Sequence, residues 1–308
     1  MRKLHHPVTP EVAASVKSRM KNRIDPIKPK VFVGYPFIIA IMAVLQVMTV
    51  IYGSRNFMFL GFNVSAGWLI LMPIMLYLFQ IVAEVYGWQY ARQIVWCNFV
   101  VNGLMTSIIF AFRYLPTNAI IVNHDLQNAY LLLMDHRLIS AFNMWIFIFI
   151  ADMLTSALMS WSKFHWNGKF VLIRILLLHV FSEVIIVSST LITAPAIGYS
   201  MEEAWKWSID SFYARTIIMV ALLPVARLVI YWLQNKVEDV IVFDYKTGFA
   251  PFKFRINPED SVQFSATGWQ TIDSHKIDIK KIAFDFYDGN LDKTYQKTTN
   301  NVNNKTSA

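Results

Sequence analysis

Polar positions thin out along this chain in six runs: 31–52, 62–83, 93–112, 138–160, 171–194 and 212–233. Each holds 20–24 residues, enough at about 1.5 Å per residue to cross about 30 Å of hydrocarbon with some tilt. The first run carries no charged residue, whereas the fourth and fifth carry Asp152, Arg174 and Glu183. The pattern predicts an all-α polytopic membrane protein with six transmembrane helices over 31–234. After 235 the period changes. "VIVFDYKTGFAPFKFRINPED" and "KIDIKKIAFDFYDG" alternate apolar with polar residues, which predicts a small β-rich appendage. The end, "YQKTTNNVNNKTSA", is polar and reads as disordered. Near the start, Val12, Val16, Met20 and Ile24 recur every fourth residue between basic ones, as in a short surface helix; a disordered basic tail fits equally. Three segments result: 1–30, 31–234 and 235–308.

Composition agrees with membrane residence. Hydrophobic residues make up 56% and charged residues 16%, against about 25% charged in soluble domains. The net charge of +8 is concentrated: 1–30 holds eight Lys/Arg against Glu11 and Asp25, while 235–308 balances ten basic with ten acidic residues. Beside a membrane span, such a cluster reads as a topology signal lying on anionic lipid and not as a nucleic-acid site. It places both termini in the cytoplasm, with Arg92, Lys163 and Lys169 on the same side; Arg113 and Arg137 run against the rule. Trp88, Tyr90, Trp161, Trp166, Tyr231 and Trp232 would mark the cytoplasmic interface, and Trp205 and Trp207 the other. The loop at 114–136, with "NAYLLLM", would lie flat in that outer interface. The single cysteine, Cys97, rules out an intrachain disulfide and a thiolate cluster. The first run lacks a small-residue cleavage site and reads as a retained span.

An ionisable side chain at mid-membrane costs about 2.5–3.5 kcal/mol on insertion scales, so it faces a partner or a pathway. His179, Ser182, Glu183, Thr190 and Thr193 share one face of the fifth run, with His179 and Glu183 four apart. Asp152, Thr155, Ser156 and Met159 share a face of the fourth, and Asn98, Asn102 and Thr106 recur every fourth residue in the third. Such polar seams either line a substrate pathway or glue helices together. Pro224 would kink the last run.

"AEVYGWQYAR" resembles the element after the second helix of the queuosine precursor transporter family, also called the vitamin uptake transporter (VUT) family. The matching residues are Glu84, Val85, Tyr86, Gly87, Ala91 and Arg92. Further matches follow in order: Arg137, Ala141 and Asp152, then Trp161 and Lys163, Arg174 and Glu183, and Arg215 and Pro224. The resemblance covers roughly 31–234. It departs where Gln80 stands for an acid, Glu183 for an aspartate and Arg215 for a lysine. It implies a secondary transporter importing a 7-deazaguanine-type base or a similar purine-like molecule across the inner membrane. The residues assigned to substrate are Gln80, Glu84, Trp96, Asn98, Asn102, Asp152, His179 and Glu183. Those assigned to structure or gating are Arg92, Arg137, Arg174 and Arg215. Asp152 and Glu183 are expected to approach one central cavity with Asn98 and Asn102.

The alternatives are a non-transporting scaffold or receptor with a cytoplasmic interaction module, and the membrane subunit of an ATP-driven importer. A phosphate loop, HExxH and GxSxG are all absent from the sequence, so nothing points to an enzyme. The expected partners are a small-molecule substrate, the lipid membrane and, as an open option, a second copy of the chain. No nucleic acid, cofactor or metal is expected.

Overall fold

The computed structural model describes residues 32–53, 55–113, 124–244, 249–256 and 261–266. The segment 1–30, "KIDIKKIAFDFYDG" and the polar end lie outside the described residues, so the readings made for them stay expectations. Six helices follow in order: α1 (Tyr35–Tyr52), α2 (Met72–Val85), α3 (Trp88–Arg113), α4 (His124–His165), α5 (Val171–Ile197) and α6 (Met201–Trp232). Among the described residues, five helices are long and apolar enough to cross a membrane. In α1 the apolar stretch is only Tyr35–Thr49. The chain is a multi-pass membrane protein.

α1 opens with Pro36 in its first turn, where a missing N–H costs nothing. The amides just before it are met from far along the chain: Gly34 donates to Glu238 Oε1 at 2.7 Å and Val33 to Oε2 at 3.3 Å. The run at 62–83 does not enter directly as a helix. Asn56–Phe59 (β1) and Phe62–Ser65 (β2) form an antiparallel hairpin, joined by Leu60 and Gly61 with φ of 50° and 87°. Two adjacent positive-φ residues suit the right-handed twist of a tight hairpin. A π-helical turn, Gly67–Leu71, then leads into α2. A Cβ at Gly67 would stand 2.8 Å from Gly53 N and 2.9 Å from Thr49 O. Only glycine lets the two backbones cross there.

Two helices begin earlier than hydropathy indicates. α4 is continuous from His124, so "NAYLLLM" belongs to this helix and is not a separate surface loop. α6 begins at Met201 because Ser200 and Glu203 form a capping box: Ser200 Oγ accepts from Glu203 N at 3.2 Å, and Ser200 N donates to Glu203 Oε2 at 3.0 Å. Pro224 lies inside α6, which ends in a second π-turn, Leu233–Val237.

Beyond the helices, Ile241–Asp244 (β3) pairs antiparallel with Ser261–Phe264 (β4), placing a strand where "VIVFD" predicts one. The pair packs on the bundle. Asp244 Oδ2 accepts from Trp88 N at 2.8 Å, satisfying an orphan amide at the start of α3. Gly87, at φ 86°, makes the α2–α3 turn, and a Cβ there would lie 3.0 Å from both Asp244 carboxylate oxygens. Burial pushes the Asp244 carboxyl above the usual carboxylate range, against the Trp88 amide, Ser160, Lys163 and Arg92, which favour its charged form. Burial likewise raises the Tyr86 phenol, with Glu238 adding to the rise, and Tyr86 donates to Glu238 at 3.1 Å.

Candidate functional site

The helices that carry the sequence-predicted polar residues pack on one another around α2, whose faces are buried by α3, α4, α5 and α6. Two bidentate ion pairs fix their relative levels. Arg174 Nη1 and Nη2 reach Glu84 Oε2 and Oε1 at 2.8 and 3.0 Å, tying α5 to α2. Arg174 also donates to Lys169 O and Met159 O. Lys163 donates to the Glu84 backbone carbonyl, with its Nζ 4.0 Å from Glu84 Oε1. The second pair joins Arg215 Nε and Nη2 to Glu183 Oε1 and Oε2 at 2.8 and 2.6 Å, tying α6 to α5. All five charged groups are buried. In this setting the arginine fork matches the carboxylate plane and neither charge is left without an answer.

Asp152 differs. It is buried, is in no ion pair among the described residues, and its Oδ1 has no hydrogen-bond partner there. Other buried polar atoms share this condition: both side-chain heteroatoms of Gln80, Asn98 Oδ1, Ser156 Oγ, Ser182 Oγ and His179 Nδ1. An unmet buried polar group costs about 1–3 kcal/mol, so a set of them calls for a reason.

Helix geometry shows that several share a level. α2 and α4 run the same way, since Ser160 donates to Ala83 O at 3.2 Å and Lys163 reaches Glu84 O one turn on. One turn back, Gln80 and Ser156 come level. α5 runs opposite to α4, and Arg174 sits beside Met159. Two turns along α5 and two back along α4 bring Ser182 level with Asp152, with His179 near the layer of Ser156. A polar layer thus lies one to two turns above the Glu84–Arg174 pair, built from α2, α4 and α5. Asn98 contributes from the buried stripe of α3 that includes Ala91, Ile94 and Val95.

The remaining predicted residues have other company. Asn102 Oδ1 accepts from Gln46 Nε2, which joins α3 to α1. His179 Nε2 lies 3.4 Å from Thr216 Oγ1. Trp96 faces Phe99, Phe149, Phe252 and Phe254, and its Nε1 donates to Pro251 O at 2.8 Å. Arg92 donates to Ala250 O at 2.9 Å and to Arg255 O at 3.4 Å. Arg137 lies on α4, its side chain outside the described part. Sequence reasoning placed Ser156 and Ser182 on the polar faces but did not count them as site residues; their spacing to Asp152 and Glu183 was the available signal. It did not identify Gln46, whose place in an apolar run gave no partner.

No curated protein and no solved structure matches the chain. A family model described as "Putative vitamin uptake transporter" matches residues 65–229, from the end of the hairpin through Pro224, and so spans every member of the polar layer. Because that match covers more than half of the 308 residues, the chain belongs to the vitamin uptake transporter family.

Proposed function

We propose that this protein imports a queuosine precursor, a 7-deazaguanine-type base or a similar purine-like molecule, across the inner membrane as a secondary transporter. The observation that carries this reading is the layer of buried polar atoms without hydrogen-bond partners among the described residues, within the stretch that matches the transporter family. Gln80, Asn98, Ser156 and Ser182 offer donors and acceptors suited to the edge of a heterocycle. Asp152 offers a carboxylate for ring N–H groups or an aminomethyl cation. Glu84 and Glu183 act through their arginines, holding the helices at the levels the layer needs. His179 belongs to the rim of this layer, and Asn102 supports Asn98 from one turn away. Six spans with both termini in the cytoplasm complete the arrangement, α1 included. The resemblance of "AEVYGWQYAR" to the queuosine precursor element supports this substrate class. A scaffold with a freely presented tail module is not favoured, because β3 packs against the α2–α3 turn.

Cells unable to make the precursor should take up labelled 7-aminomethyl-7-deazaguanine when they express this chain. Uptake no greater than in the same cells without it, at confirmed membrane abundance, would refute the substrate assignment.

A further inference from the structure

The segment at 249–256 is strapped along the first turns of α3 in an uneven way. Arg92, Gln93 and Trp96 hold it by donating to its backbone carbonyls, those of Ala250, Arg255, Phe254 and Pro251. These bonds set the path of the strap's backbone. Backbone bonds alone do not account for the alternation of Phe252, Lys253, Phe254 and Arg255. Phe252 and Phe254 are 69% and 59% exposed, yet their rings lie 5.7 and 5.2 Å from the Trp96 ring. Lys253 and Arg255 are exposed beside them.

Trp96 stands at the foot of a stripe with a four-residue step, Val100, Leu104 and Ile108, which are 53%, 59% and 47% exposed. On a helix long and apolar enough to cross a membrane, this stripe is the lipid-facing side. The two phenylalanines extend it downward. α3 has 26 residues and is about 39 Å long, about 9 Å more than the hydrocarbon layer. Trp96 is eight residues from its start, about 12 Å along the axis, so the strap runs near the edge of the hydrocarbon. There, rings bed into the acyl boundary and basic groups meet phosphates.

We propose that Phe249–Arg255 is an interfacial membrane anchor: Phe252 and Phe254 insert at the acyl boundary, and Lys253 and Arg255 bind the phosphates of anionic lipids. The strap lies outside the 65–229 family match.

The test uses full-length protein in nanodiscs of phosphatidylglycerol with phosphatidylcholine, or of phosphatidylcholine alone. Spin labels are placed singly at Phe252→Cys, Lys253→Cys and Phe254→Cys in a Cys97→Ala background. Collision with oxygen relative to a water-soluble nickel chelate should be about fivefold higher at 252 and 254 than at 253 in the anionic discs, as for rings bedded below the headgroups. The pair Lys253→Gln with Arg255→Gln should bring the 252 and 254 ratios down to the value in phosphatidylcholine alone. Equal ratios at 252, 253 and 254 would overturn the anchor and indicate a surface for a soluble partner. Ratios indifferent to anionic lipid would overturn the phosphate contact. Should the labelled variants fail to fold, trypsin applied to the wild-type chain gives the same decision. Cleavage after Lys253 and Arg255 should slow about tenfold from detergent to anionic nanodiscs, and unchanged cleavage would overturn the proposal.

Discussion

Glu183 and Arg215 share two hydrogen bonds at 2.8 and 2.6 Å where neither is open to solvent. Removing one partner leaves a buried charge unanswered, at about 3–5 kcal/mol, whereas replacing both with apolar residues is far milder. Glu183→Gln should therefore lower membrane abundance, and Glu183→Leu with Arg215→Met should restore much of it, read by quantitative blotting of membranes. Glu84→Gln should behave like Glu183→Gln, since it removes the carboxylate that both Arg174 nitrogens reach. Equal abundance for wild type and both Gln variants would remove these pairs from the account of stability. Asp152, with no cation facing it among the described residues, should tolerate Asp152→Asn with abundance near normal. Helical spacing located Asp152 and Glu183 in the sequence and the family resemblance located Glu84, but nothing there separated them. The partner of Glu84 lies 90 residues away, and periodicity gives the face of a helix without naming what opposes it.

The α2–α3 turn shows what an element contributes beyond a connection. Gly87 supplies a positive φ, and the space beside it is filled by the Asp244 carboxylate that caps α3. Gly61, at φ 87°, has the same backbone need but nothing within 4 Å of a Cβ. Gly61→Ala should cost about 1 kcal/mol from the backbone alone. Gly87→Ala should cost at least about twice that, because Asp244 must also move. Thermal unfolding of the purified protein in detergent reads the difference, and equal losses would mean that the Asp244 contact carries no weight. The EVYG element was legible as a family resemblance that follows the second helix. The strand beneath it was legible only as a strand, because its docking depends on contacts more than 150 residues apart. The hairpin at 56–65 was hidden for another reason: Phe62 and Val64 merge with the following apolar run, and a hydropathy window does not separate four strand residues from a helix.

For the whole molecule, the start of the tail completes the bundle. Glu238 meets the amides before α1 and Asp244 meets that of Trp88, so both lie within the fold. Truncation after residue 245 should keep insertion and most of the abundance. Truncation after residue 234 should lose several-fold in abundance, since it strands the buried Trp88 amide at about 1–3 kcal/mol and removes the acceptor of the part-buried Val33 and Gly34 amides. Comparable abundance for the two truncations would place the boundary of the bundle before Glu238. The six apolar runs, their order and the family resemblance were legible from the start. The polar layer was legible face by face, but its common level emerged from the Glu84–Arg174 and Ser160–Ala83 contacts. That layer is the centre of the account, and one comparison tests it most directly: initial uptake of labelled 7-aminomethyl-7-deazaguanine by cells expressing wild type or Asp152→Asn, normalised to protein in the membrane. The expected result is uptake by wild type and at least a tenfold loss with Asp152→Asn at near-normal abundance, the scale of one lost charge-assisted contact of about 1.5–3 kcal/mol. Normal uptake by Asp152→Asn would contradict it.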